Sequence, residues 1–283
     1  MTITADLPLD LAPTIRARPP RRTAKPVPAE KGTMLIGLAT LAILVGLWFA
    51  ASYFRWTSPL FLPSPAEVVT QFRAVATDGY AEGTLLAHLG SSLWRICMAL
   101  AIATLIGIPV GLLMGLNRWV RGIFSVPIDL YWGLPPLAYL PLMIIWLGIG
   151  ETSKILLLTL STFAPVCFSA QAGVRSVPVE RINAALSLGA NRWQIFTSII
   201  LPSALPEILT GFRIAIGAGL STLVAAELIA ARSGLGYMIM SAANFLATDV
   251  VFVGLIVIAA LAFSLSAGMR WLERRLVPWK GKI

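Results

Sequence analysis

Charge is scarce in this chain: only 12% of its 283 residues are Asp, Glu, Lys or Arg, where a soluble domain carries about 25%. Histidine is scarcer still, with His88 the only one. Counting alone therefore excludes His-based metal clusters, histidine proton relays and Ser-His-Asp sites. The two cysteines, Cys97 and Cys167, fall inside apolar stretches, where each is read as a small core residue and a disulfide has no support. No G-x-x-x-x-G-K-[ST] phosphate loop occurs. The chain has no catalytic constellation and no means of hydrolysing ATP by itself.

What is abundant is apolar sequence. Hydrophobic residues make up 57% of the chain, and its mean hydropathy is +0.82. Spanning a bilayer core of ~30 Å takes roughly 20 apolar residues in a helix. Five charge-free runs meet that length: Lys31 to Arg55, Arg95 to Arg118, Asp129 to Glu151, Lys154 to Arg175 and Asp249 to Arg270. A sixth, Leu205 to Ala231, is interrupted by Arg213 and Glu227. The expected fold is an all-α integral membrane protein with about six transmembrane helices.

Orientation follows from the placement of Lys and Arg. With the N-terminus inside, 16 of the 22 basic residues lie on inside segments. Arg55, Arg73, Lys154 and Arg232 lie outside, while Arg95 and Arg213 lie near helix ends. Both termini are then cytoplasmic, and the +9 net charge is a topology signal, not a nucleic-acid footprint. Residues 1–31, with six prolines and an RPPRR run, read as a disordered basic tail near anionic lipid. The apolar run that follows is too long for a cleaved signal peptide, and a Thr33–Tyr53 helix is expected to stay in the membrane. Segment 32–87 carries that helix and an outer amphipathic stretch, 88–272 the bundle with a loop at 177–202, and 273–283 a basic tail.

In the outer stretch, Ser64, Pro65 and Glu67 have the form of a capping box with proline at the first helical position. Val68, Val69, Phe72, Val75 and Ala76 then form one apolar face, for packing on the bundle, for a lipid surface or for docking an external protein. Gly107, Gly111 and Gly115 share a face of the second span and predict close helix packing. Pro135, Pro136, Pro141 and Pro165 are expected to break the third and fourth spans, which then flank a polar path. Gly211, Gly217 and Gly219 give the fifth span similar plasticity. Tyr139, Thr159, Ser161, Thr162, Ser169, Ser221 and Thr222 offer neutral hydrogen-bonding groups in the third to fifth spans.

Glu227 is the one acidic residue well inside a predicted span, and such a group faces the interior with a partner. Arg213, fourteen residues earlier, is about 21 Å away by helix rise. Arg232 or a polar group on a facing helix is the better partner. Structural satisfaction and a role at an outer gate both stand open; Glu227, Ser221, Thr222 and Tyr139 are the candidate pathway or gate residues.

The loop is the most specific feature. Asn183, Ala184 and Ala185 are followed after three residues by Gly189, and after nine more by Ile199, Leu201 and Pro202. The two alanines bare a short helix, about Pro178 to Leu188, and Gly189 suits its C-cap. Asn191 can cap a second helix, Arg192 to Ile200, which Pro202 is expected to close.

That order resembles the EAA…G…I-x-LP signature loop of permease subunits in binding-protein-dependent ABC importers. Longer strings, SPLFLPSP (58–65), PPLAYLPLMIIWLGIGETSKIL (135–156), LPEILTGFRI (205–214), STLVAAELIAA (221–231) and FLATDVV (245–251), are similar to the sulfonate, nitrate and taurine group, nearest its taurine permeases. The resemblance implies a type I importer permease in a bacterial inner membrane, acting as a homodimer. Each copy would dock one of two ATPase subunits, which bind the ATP and Mg, and an external binding protein would deliver substrate. Asn183, Ala184, Ala185, Gly189, Ala190, Arg192, Ile199, Leu201 and Pro202 would form the ATPase-coupling loop. Asn183 stands where the family carries an acid, removing one charge from that contact. Taurine, another alkanesulfonate or a nitrate-like anion is the implied substrate. The reading from another class is an ion-coupled secondary transporter, for which Glu227 is the only clear intramembrane carboxylate and no inverted repeat is visible.

Overall fold

Every element described in the computed structural model is a helix; the one pairing of extended backbone is an isolated bridge between Tyr80 and Gly83. The structure describes residues 31–279, with side chains from Leu35. The expected basic tail at 1–30 and the last residues, 280–283, lie outside the described residues. Helix α1 (Lys31–Tyr53) is an apolar rod over 35–47, and the chain from Trp48 onward forms a separate unit. Within that unit the Trp48 indole donates to Pro63 O at 3.1 Å and stacks on Phe252.

The capping box predicted at Ser64 opens α2 (Pro65–Thr77): the Glu67 amide donates to Ser64 Oγ, and the Ser64 amide returns the bond to Glu67 Oε2 at 2.7 Å. Its buried stripe is narrower than the apolar face suggested. Val68 and Val75, two turns apart, are buried, whereas Val69, Phe72 and Ala76 are exposed.

Three long helices make the core: α3 (Leu85–Leu116), α6 (Glu151–Arg175) and α9 (Leu201–Ala230). The glycines of α3 set its seam with α6. A methyl group added at Gly107 would stand 3.3 Å from Val166 Cγ1, and at Gly115 2.8 Å from Val174 Cγ1. Residue numbers rise together along that seam, so α3 and α6 run parallel. Along α9 they run the opposite way: Gly173 of α6 meets Ala204, and Gly219 of α9 meets Thr162. Gly211 and Gly219 are thus packing contacts of α9 rather than points of plasticity. Ile96, Leu158, Val166, Leu220 and Leu223 fill the space between the three helices. Cys167 is in a core cluster with Met114, but Cys97 faces out, against the expectation for it.

Parallel packing of α3 and α6 means that residues 117–150 must return across the bundle. They do so as a broken span, α4 (Arg118–Trp132), a 3-10 turn (Pro136–Tyr139) and α5 (Leu140–Leu147), bent by 92°. The break falls at Pro135–Pro136, as their missing N–H groups require. Pro165 does not break α6. It sits between the α3 seam at Val166 and the α9 seam at Gly211, and packing from both sides keeps the helix continuous. With the bent pair counted as one, the described residues hold six spans, as the composition predicted.

Two short helices, α7 (Val179–Ser187) and α8 (Arg192–Ile195), join α6 to α9, and α10 (Leu235–Asn244) joins α9 to α11 (Thr248–Leu276). Arg213 pairs with Glu273, tying α9 to α11. Pro202 does not close the second loop helix: Arg192 to Ala230 is one continuous path. A π turn at Phe196–Ile200 precedes the proline, with the Leu201 amide donating five residues back to Phe196 O. That wide turn shifts the register just before a residue with no N–H to give.

Candidate functional site

Two polar constellations stand at opposite ends of the bundle. The first is the loop between α6 and α9. Here α7 ends in a Schellman motif, with Gly189 N donating to Leu186 O at 2.9 Å and Ala190 N to Ala185 O at 3.0 Å. Gly189 has φ +82°, and a Cβ there would meet nothing within 4 Å. The demand for glycine is therefore conformational, not steric. Asn191 opens α8 with a capping box: Gln194 N donates to Asn191 Oδ1 at 2.9 Å and Asn191 N to Gln194 Oε1 at 2.8 Å.

The two alanines do different work. Ala184 faces out beside Asn183 and Arg192, while Ala185 turns inward with Ala190 and Leu201 against Ile195, Ile200 and Ala204. Ile199 is half-buried and Pro202 lies within α9. The outward surface is apolar for a solvent-facing loop: Leu188 is 89% exposed and Trp193 71%, with Val179 and Leu186 also open. The loop is built to present this surface, since α9 carries its register straight into the bundle.

The second constellation, at the other end, is a polar network around Arg95. This guanidinium, 1% exposed, joins four segments. Its Nε and Nη2 grip Glu151 of α6 at 2.6 and 2.8 Å, and its Nη1 donates to Glu227 of α9 at 2.6 Å and to Ser233 O at 2.7 Å. Lys154, also buried, donates to Glu151 Oε1 at 3.0 Å. The charges balance, two cations against two carboxylates. Glu151 is 51% exposed, so the fully buried pair is Arg95 with Glu227, which holds when every remaining lone pair and proton is also bonded.

Glu227 meets that condition through α10. The Gly236 amide donates to its Oε2 at 2.9 Å, and Ser92 Oγ bridges it to the Leu235 amide. A carboxylate from one helix thus caps the N-terminus of another, where an anion is favoured. His88 extends the network outward. Its Nδ1 accepts from the Gly234 amide at 3.1 Å, so Nε2 carries the proton and donates to Tyr80 O at 2.9 Å. Gly234 has φ +118°, and a Cβ there would stand 2.6 Å from Arg95 Nη1. Tyr80, in the turn before α3, has its phenol pKa raised, by burial and then by the Asp249 carboxylate.

Of the partners considered for Glu227, the facing-helix group is the one present; Arg232 makes no ion pair with it. Arg95, placed near a helix end by its sequence, is the residue the sequence reading missed. The signal was available: His88, Ser92 and Arg95 recur at four and three residues on one face of an otherwise apolar helix. The neutral groups assigned to a path fall into two sets. Thr159, Ser161, Thr162 and Thr222 are buried and bonded to carbonyls of their own helices. Ser221 is exposed and Tyr139 half-buried at the break. Thr222 and Glu227 lie inside the bundle of one chain; Ser221 and Tyr139 remain at its surface.

Residues 107–278 match the family model described as binding-protein-dependent transport system inner membrane component. The chain is 56% identical to the taurine transport system permease protein TauC of Escherichia coli (strain K12), covering 88% of this chain and 90% of that one. It is 38% identical to SsuC of the same organism, named for aliphatic sulfonates transport, over 83% and 88%. Among solved structures, the MetNI methionine ABC transporter in an inward-facing conformation aligns with TM-score 0.59 at 20% identity. That alignment covers 68% of this chain and 95% of the other, a likeness of fold.

Proposed function

This chain belongs to the family of binding-protein-dependent transport system inner membrane components, and we propose that it is the permease subunit of an ATP-driven taurine importer. The observation that carries the reading is the loop at 177–202: a capped hairpin, closed by Gly189, that leaves small and apolar side chains exposed, as a surface for a partner protein would. Two copies of the chain form the translocation path, and each docks one ATPase subunit through α7. The ATPases bind ATP and Mg; this chain contributes no catalytic group. The loop end faces the cytoplasm together with both termini, and the Arg95 end faces an external binding protein. Residues 1–31 and 273–283 are cytoplasmic basic tails, 32–87 the first span and outer amphipathic segment, and 88–272 the permease core.

Identity of 56% to a taurine permease supports the substrate, and 38% to a sulfonate permease supports the class should the substrate differ. Ser221 and Tyr139 contact the path, with Thr222 and Glu227 supporting it from inside the bundle. The test is uptake by proteoliposomes holding the whole complex and the cognate binding protein. Labelled taurine enters only with ATP inside. Preference for a long alkanesulfonate or nitrate would correct the substrate, and ATP-independent uptake driven by an ion gradient would overturn the reading.

A further inference from the structure

The broken span carries two features that hydrocarbon does not tolerate. By helix rise, α4 with its 15 residues is about 22 Å long and Pro136–Leu147 about 20 Å, each short of the ~30 Å core, so the break between them lies at membrane depth. At that break Trp132 is 41% exposed and Leu134 55%, with Gly133 and Pro135 also open. Pro135 and Pro136 have no N–H to return, so Trp132 O has no helical partner, while Tyr131 O takes the Leu134 amide and Pro135 O the Ala138 amide. One turn earlier, Asp129 is exposed and takes part in none of the ion pairs among the described residues. Irregular backbone and a free carboxylate do not face lipid; they face protein or a water-filled cavity.

A dry seam between two copies fails on charge. A twofold contact brings identical surfaces together, and from Gly122 to Gly150 the chain has no Lys, Arg or His. Arg121, the nearest basic residue on α4, is spent on Met114 O and Gly115 O. Where this span meets its own copy, therefore, neither brings a cation to the other's Asp129, and the carboxylate keeps its water.

We propose that Asp129 and the open carbonyls of Trp132, Gly133 and Leu134 form the electronegative wall of the aqueous path between two copies, and that this wall receives the ammonium end of the transported zwitterion. The inference rests on the importer reading above. It adds a specificity element: carboxylate and carbonyl oxygens attract a primary ammonium and repel a purely anionic sulfonate.

The experiment uses the whole complex in lipid nanodiscs, with Leu134→Cys in a Cys97→Ala background. Water-soluble methanethiosulfonates of opposite charge report both access and field, with Leu105→Cys, on an exposed apolar face of α3, as the comparison thiol. The thiol at 134 reacts faster than that at 105. The cationic reagent leads the anionic one by about tenfold relative to free cysteine, and adding Asp129→Asn brings the two close to parity. In proteoliposomes, Asp129→Asn also lowers taurine uptake while Asp129→Glu restores part of it. No labelling at 134 in any nucleotide state, or labelling without charge preference, overturns the inference. Labelling as predicted in a complex that fails to move taurine would leave the wall standing and defeat the substrate assignment.

Discussion

A single arginine sets the end of the bundle opposite the loop. Arg95 offers its donors to Glu151, Glu227 and Ser233, and every acceptor around it is in turn bonded. Glu227 receives only donors: a guanidinium, a hydroxyl and an amide. Glu227→Gln would turn an NH2 group toward one of them and leave Arg95 with less compensation. We expect the variant to insert but to lose about 1–3 kcal/mol of stability, the cost of an unsatisfied buried group. Its unfolding midpoint in detergent should fall. An unchanged midpoint with abolished uptake would instead make the charge a gate element. Glu227 was legible as a buried carboxylate from its position in an apolar run. Its partner was not, because Arg95 and Glu227 are 132 residues apart and pairing at that range is decided by the helix seams.

Those seams were partly legible too. The glycines at 107, 111 and 115 announced a close approach because nothing else explains small residues at four-residue spacing in a span. The same pattern in α9 was read as plasticity, since Gly211 and Gly219 differ in spacing and their facing residues, Ser169 and Thr162, lie far off in sequence. Gly111 is the tightest test: a Cβ there would press on Ala170 Cβ at 2.7 Å and on the Cys167 backbone. Gly111→Leu should therefore overpack the α3–α6 seam by about 1–3 kcal/mol or more. Lower yield and a lower unfolding midpoint in detergent would show it; wild-type values for both would refute the seam. Prolines were the less reliable signal. A pair at 135 and 136 removes consecutive donors and breaks the span, whereas Pro165 and Pro202 are absorbed, one by packing and one by a π turn.

At the scale of the molecule, the two constellations are joined by one helical path, Arg192 to Ala230, that starts in the loop and ends three residues beyond Glu227. On the importer reading proposed above, movement imposed on α7 by a partner would pass through the Gly189 turn and then along this path to the opposite face without a further loop. That would be the coupling an importer driven by separate ATPase subunits requires, and on this proposal Gly189 is its least replaceable residue. A β-branched side chain at φ +82° is strained even in open space, and the Schellman closure that aims α7 fails with it. The most direct test is ATP hydrolysis by the complex in nanodiscs, with and without substrate-loaded binding protein. Loaded binding protein should stimulate hydrolysis in the wild type, and Gly189→Val should abolish that stimulation in a complex whose spans still insert. Stimulation of the Gly189→Val complex to the wild-type level, or ATP hydrolysis by this chain purified alone, would contradict the account.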